Sequence, residues 1–333
     1  RKAVNGESLP RVIRNEEKTN RAQASMIRHA AIHGSVEISR GCGRNCQFCT
    51  PTVQRKIDVP LGKIMEEVEL TIREGGERIT LVTEDILLYG AKDGQFIPDK
   101  QAVIKLVKSV AAHQGVKCIQ PAHMSLAPVA YDPTMIRELS EILIDFNWYF
   151  QGTKRIVTSE TGVETGSVRL MRKYMSGKML PYKPEQWKEI VKQAFGILND
   201  YDWYPLATLI VGLPDENESD VIETLELIDD LKSHKAFYVP LLFVPLENCL
   251  LMNKHGAEID SLTRARWEFI TRCWEYNARI WGDTFLQNRI PNPILSKIVK
   301  RGVFPFLGKI AGTYYGAKHG EEMKKAIWKM ANA

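Results

Sequence analysis

Cys42, Cys46 and Cys49 stand in the loop Arg40-Gly41-Cys42-Gly43-Arg44-Asn45-Cys46-Gln47-Phe48-Cys49, a Cys-x3-Cys-x2-Cys spacing. Three thiolates this close can wrap three corners of a four-iron, four-sulfur cube within one loop. The fourth iron then has no protein ligand and is free to take a substrate or cofactor. The alternative is zinc. A structural zinc site wants four ligands, and no fourth cysteine or closely spaced histidine pair lies nearby. The loop is polar and carries glycine, which argues against three cysteines merely buried as small residues. Cys118, Cys249 and Cys273 are scattered along the chain and read as core residues.

The elements that must position this loop are short apolar runs alternating with amphipathic helices, the pattern of βα units and a parallel sheet. Strands are expected at residues 35–38, 79–82, 116–120, 155–159, 206–211 and 237–242. Helices are expected from about Pro60, around Val103–Val110, from Pro133, after Pro184 and from about Ser219, each with apolar residues at helical spacing. Asp132-Pro133 is a cap followed by proline at the first helical position. Six strands with five helices between them fit a partial (β/α)6 barrel or an open doubly wound sheet. Either way, ligands are expected at the carboxyl ends of the strands.

Residues 1–33 are polar and weakly patterned and read as an N-terminal linker or entry segment. Residues 34–245 read as the core barrel, and 246–333 as a C-terminal helical extension. The chain starts at Arg1, which suggests a fragment or processed form. No run of eighteen apolar residues occurs, so no transmembrane helix is expected. Clustered thiolates suit metal binding in a reducing compartment, which points to the cytoplasm. The net charge of +5 is local: residues 284–320 hold six basic residues and no acid, whereas elsewhere 39 basic residues face 40 acidic ones. An anionic partner near the C-terminus follows.

The cysteine loop after the first strand resembles that of the radical S-adenosylmethionine (SAM) superfamily, and the resemblance spans about residues 35–245. It implies a [4Fe–4S] cluster on Cys42, Cys46 and Cys49, whose open iron binds the amino and carboxylate groups of SAM. It also implies reductive cleavage of SAM to a 5′-deoxyadenosyl radical that abstracts hydrogen. Phe48, before the third cysteine, is expected beside the adenine. The family often holds the SAM amino group with Gly-Gly-Glu at the end of the second strand. Here Gly75-Gly76-Glu77 precedes that strand and stops a helix, so it reads as a decoy. Thr83-Glu84-Asp85 occupies the topologically correct end, as ammonium acceptors or as a solvated loop acid.

Glu160-Thr161-Gly162-Val163-Glu164-Thr165-Gly166-Ser167 resembles the family's fourth-strand motif, which makes Glu164 the expected SAM contact with Ser167 near it. Arg169 and Arg172 are candidates for the SAM carboxylate, because arginine binds carboxylates bidentately, or are ordinary helix surface charges. Thr208-Leu209-Ile210-Val211-Gly212-Leu213-Pro214 resembles the adenine-side motif, with Val211 packing on the ring and Gly212 allowing close approach. His123 follows the third strand and is expected to face the site, more as a satisfied polar residue than as a catalyst.

Several kinds of radical SAM enzyme compete. Cys46 to Gly90, with Arg55 to Pro60 and Glu84 to Gly90, resembles methylthiotransferases acting on RNA or a ribosomal protein. Those need three more cysteines upstream, and residues 1–41 hold none. Glu164 to Leu170, Tyr174-Met175-Ser176-Gly177-Lys178 and Trp203-Tyr204-Pro205 resemble archaeal cobalamin-associated members, a group that includes the enzymes making rings in tetraether membrane lipids. This second resemblance implies lipid biosynthesis, a ferredoxin- or flavodoxin-type electron donor, and cobalamin if a further domain precedes Arg1. A peptide or small-metabolite radical enzyme and a non-turning-over scaffold stand as further readings.

Two C-terminal features bear on the substrate. Trp267, Ile270, Trp274, Ala278 and Trp281 share one helical face, expected to dock on the barrel or to line a channel for an apolar substrate. Residues 291–316 interleave Phe304, Phe306, Tyr314 and Tyr315 with Lys297, Lys300, Arg301 and Lys309. That mixture suits an anionic lipid surface, with nucleic acid as the rival partner.

Overall fold

The computed structural model describes residues 27–92, 94–146 and 155–289. The chain enters β1 (Ser35–Glu37) and then β2 (Ser39–Arg40) and β3 (Ile57–Asp58), an antiparallel pair that brackets the cysteine loop. There follow α1 (Leu61–Arg73), β4 (Arg78–Val82), α2 (Lys100–Ala111), β5 (Cys118–Pro121), α3 (Leu126–Tyr131), α4 (Pro133–Leu143) and β6 (Glu160–Glu164). The last elements are α5 (Val168–Tyr174), α6 (Trp187–Asp200), β7 (Leu206–Val211), α7 (Glu218–Asp230), β8 (Phe237–Leu242) and α8 (Arg264–Arg289).

The long strands form two parallel sheets, β1-β4-β5 and β6-β7-β8. A parallel bridge between His123 and Glu160 joins them. There the Glu160 amide donates to Ala122 O and the Met124 amide donates to Glu160 O, both at 2.9 Å. Six parallel strands therefore run in chain order round a partial barrel, with β1 and β8 as its outer strands. Asp99 and Asp132 cap α2 and α4, each accepting from the amide three residues on, at 3.0 and 3.1 Å. The amphipathic stripes bury Ile64 and Val68 of α1, Val103 and Val107 of α2, and Ile136 and Leu139 of α4 in one common core.

One strand lies later than the sequence predicts. Residues 155–159 contribute a single bridge, Val157 to Trp203, and the fourth barrel strand is β6. The apolar run Ile156-Val157 drew the expectation. The true strand is polar at Glu160 and Glu164 because alternate residues face the barrel interior rather than a core.

The C-terminal helix also differs. Its buried face is Ala265, Phe269, Cys273 and Tyr276, against α7 and β8. The tryptophan stripe flanks that face: Trp274 is 43% exposed and meets Phe237 edge-on, while Trp281 donates from Nε1 to Ala236 O at 2.9 Å. Among the described residues no helix is long and apolar enough to cross a membrane. The basic segment 291–316, and residues 1–26 of the expected entry segment, lie outside the described residues.

Candidate active site

The loop between β2 and β3 is tied down at every cysteine. The Cys42 amide donates to Pro51 O and Gln54 O, both at 3.2 Å, the Cys46 amide to Thr52 Oγ1 at 2.8 Å, and the Cys49 amide to Cys46 O at 3.0 Å. Arg44 fixes the loop to the rest of the barrel. Its buried guanidinium donates to Lys178 O at 2.8 Å and Gly177 O at 3.2 Å, and meets Asp85 Oδ2 at 3.3 Å and Ser125 Oγ at 3.0 Å. Gly177 permits this approach, because a Cβ there would stand 2.2 Å from Arg44 O.

The three cysteines open on one cavity of about 410 Å³ at the carboxyl ends of the strands. Phe48, Glu84, Glu164, Lys178, Thr208 and Ile210 share its wall. Burial pushes the Cys42 thiol up, Cys46 up to about 11, and Cys49 up to about 12, with neighbouring cysteines adding to Cys49. Three adjacent thiolates are thus unfavourable here unless a cationic centre lies among them. Among the described residues no three His, Cys, Asp or Glu side chains converge to hold a single metal ion. Three cysteines round a shared cavity instead fit a multi-iron cluster, each sulfur on its own iron.

Opposite the cysteines, Lys178 Nζ donates to Glu164 Oε1 at 2.9 Å, with side chains 12% and 8% exposed. Burial alone would lower the Lys178 pKa, but Glu164 and Cys46 outweigh it and hold the ammonium charged. Glu164 sits at φ 63°, in a register break of β6 after Gly162. A left-handed, non-glycine backbone of this kind costs roughly 1–3 kcal/mol and persists where its surroundings fix it. Here it turns a carboxylate inward beside the cysteines.

The structure brings some expected residues together and not others. Phe48, Glu84 and Glu164 line the cavity with the cysteines. Thr83 is buried, its hydroxyl 2.5 Å from Ser39 Oγ, and Asp85 is buried as the partner of Arg44, Ser125 and the Leu87 amide. Ser167 caps α5 and donates to Asp220 Oδ1 at 2.6 Å. Arg169 pairs with Asp220 and Arg172 with Glu185, so neither guanidinium joins the cavity wall. On β7, alternation puts Thr208 and Ile210 on the cavity and Val211 in the core. Gly212 turns at φ 80° beside Ala257 and donates to Glu216 Oε2 at 2.9 Å. The Gly75-Gly76-Glu77 triplet lies between α1 and β4, ahead of the strand.

Sequence reasoning assigned no role to Lys178 or Arg44. Lys178 lies in a stretch noted for resemblance, and its contact with Glu164 spans a helix and a turn that periodicity cannot resolve. His123, expected to face the site, does so paired with Glu160, Nε2 to Oε2 at 3.1 Å. Cys118, Cys249 and Cys273 are buried.

A parallel partial barrel with a three-cysteine loop at its carboxyl end defines a radical SAM architecture. The family model of the Radical SAM superfamily matches residues 36–228, more than half of the chain, and the chain belongs to that superfamily. It is a radical SAM enzyme, using a [4Fe–4S] cluster and SAM.

Among curated relatives, the tRNA-2-methylthio-N(6)-dimethylallyladenosine synthase of Leifsonia xyli subsp. xyli is 27% identical over 214 residues, 63% of this chain and 36% of that protein. The ribosomal protein uS12 methylthiotransferase RimO of Leptospira biflexa serovar Patoc is 24% identical over 207 residues, 62% of this chain and 41% of that protein. The chain thus spans about two fifths of the length of these relatives.

Among solved structures, the methyltransferase TsrM from Kitasatospora setae, with cobalamin and [4Fe–4S] cluster bound, gives a TM-score of 0.47 at 12% identity, covering 66% of this chain and 35% of that one. The cobalamin-dependent enzyme OxsB with aqua-cobalamin bound gives 0.46 at 13%, covering 89% and 52%.

Proposed function

We propose that this chain abstracts hydrogen from an unactivated carbon of an apolar substrate, a membrane lipid, on the way to ring or C–C bond formation or methylation. The carrying observation is the cavity that holds the three cysteines and the Lys178–Glu164 pair against an apolar wall of Ile210 and Leu241. When bound, the cluster and SAM supply a one-electron reduction yielding a carbon radical strong enough to take hydrogen from such a C–H bond. Glu164 would accept from the SAM ammonium, and Lys178 would donate to the SAM carboxylate. Phe48 and Ile210 line the same cavity and would give the adenine an apolar wall that excludes water.

In this reading residues 34–245 are the catalytic core and 246–333 an extension that meets the substrate's membrane, through the basic residues of 291–316. A ferredoxin- or flavodoxin-type protein delivers the electron, and cobalamin carries any methyl group if a further domain precedes Arg1. The second reading is a methylthiotransferase-like enzyme acting on RNA or a protein, favoured by the tRNA- and ribosomal-protein-modifying relatives.

Anaerobic reconstitution tests the core of the proposal. About four irons and four sulfides per chain are expected, with 5′-deoxyadenosine formed from SAM under dithionite and none from Cys46→Ala. A well-formed zinc site that takes up no iron defeats it. Binding to anionic over neutral vesicles, weakened when Lys297, Lys300 and Arg301 become Glu, supports the lipid substrate. Tight, salt-sensitive RNA binding without vesicle binding supports the second reading.

A further inference from the structure

Below the cysteine cavity, the barrel holds a second chamber of about 550 Å³ at the amino ends of the strands. His123 and Glu160 line both spaces, so this ion pair stands between them as a collar. The chamber's far wall is Leu206, Tyr204, Phe237 and Trp281. The rings meet edge-on, Tyr204 to Trp281 at 5.9 Å between centroids and Phe237 to Trp281 at 6.4 Å.

Three polar side chains on the opposite wall, where Arg78 also stands, are already engaged. Ser35 Oγ donates to Ile32 O at 2.9 Å and Thr80 Oγ1 to His33 O at 3.1 Å. Gln120 Nε2 donates to Thr158 O at 2.7 Å. These three side chains therefore ask little of a ligand in hydrogen bonds. A ligand that offers none suits the chamber, since burying unpaired polar groups would cost it affinity. On β7, Ile210 faces the upper cavity and Leu206 the lower, four residues or about 13 Å apart along a strand.

We propose that the lower chamber binds a saturated hydrocarbon chain belonging to the substrate, so that one molecule reaches from the radical site through the His123–Glu160 collar to Trp281. This rests on the radical SAM reading above only for the word substrate; the chamber and its ligand class stand on their own geometry.

The test is equilibrium binding of a homologous series of n-alkanols, butanol to hexadecanol, to the full chain. It is read by displacement of a bromine-labelled dodecanol that quenches tryptophan. Affinity should rise about fourfold per added methylene until the chamber is full. Trp281→Phe should remove most of the quenching, because the label then lies beside that ring. Leu206→Trp, which fills the chamber, should weaken binding at least tenfold with SAM binding unchanged. Phe237→Ala, which enlarges it, should shift preference to branched chains. Circular dichroism identifies variants that fold.

No saturable binding, or binding that neither folded cavity variant alters, overturns the proposal. SAM cleavage on the same preparations separates the two readings. Chain binding without cleavage removes the catalytic reading and leaves the chamber. Cleavage without chain binding removes the chamber alone.

Discussion

Gly162 leaves the space that the Glu164 carboxylate and the Lys178 ammonium occupy. A Cβ on Gly162 would stand 1.9 Å from Glu164 Oε1 and 2.6 Å from Lys178 Nζ. The pair that faces the cysteines therefore depends on a glycine two residues upstream, in the same bulged strand.

Gly162→Ala should destabilise the protein and weaken SAM binding together, because the methyl displaces the ion pair from its pocket. Gly62→Ala is the matched control. It lies exposed in α1 with nothing within 4 Å of its added Cβ. There alanine should stabilise by about 0.5–1 kcal/mol through helix propensity. Thermal denaturation and SAM titration of both variants check this. Parallel losses in the two would show that the position near Glu164 is not special.

Removing one member of the buried pair should cost more than removing both. Lys178→Met leaves the buried Glu164 carboxyl unpaired, at a cost of about 3–5 kcal/mol. Adding Glu164→Gln should recover much of that stability without restoring SAM affinity. Glu164→Ala should weaken SAM at least tenfold, whereas Glu77→Ala, in an exposed pair with Lys117, should leave SAM binding unchanged. Denaturant unfolding and calorimetry are the measurements, and equal effects of Glu164→Ala and Glu77→Ala would refute the assignment.

The His123–Glu160 collar should titrate as a pair. The hydrogen bond to Glu160 raises the His123 pKa despite burial, and the same bond lowers that of Glu160. The histidine's contribution to stability is then full below its unfolded value of about 6.5 and is lost as pH rises through the folded one. The carboxylate's contribution is present above about 4.3 and is lost as pH falls through its lowered folded value. NMR should place the His123 midpoint above 6.5, and Glu160→Gln should lower it. The difference in melting temperature between wild type and Glu160→Gln should shrink from pH 6 to pH 9. A midpoint that Glu160→Gln leaves in place would show that the pair does not form in solution.

Stripping the metal should leave sluggish thiols rather than reactive ones. With Cys46 pushed up to about 11 and Cys49 to about 12 by burial, little thiolate exists at pH 8. Iodoacetamide should label them on the order of a hundredfold more slowly than a free cysteine, faster as pH rises toward 11. Iron and sulfide should then block labelling altogether. Rapid labelling of the iron-free protein at pH 8, read by peptide mass mapping, would contradict the buried loop seen here.

The sequence alone determined what depends on local spacing. Cys42, Cys46 and Cys49 lie within eight residues, so one loop must hold them together whatever the rest of the chain does. The strands at 206–211 and 237–242 and the helices packing on them were legible because each buries an apolar face with its own period. Tertiary structure decided the remainder. Strand β6 is polar because it faces the cavity, so a hydrophobic pattern placed it five residues early. Lys178 meets Glu164 only after α5 and the turn beyond it fold back, and Arg169 and Arg172 meet acids on other segments instead. The lower chamber joins the ends of β6, β7 and β8 to Trp281 on α8, residues as far apart as 160 and 281. Such contacts depend on how strands close into a barrel, which periodicity along the chain does not encode.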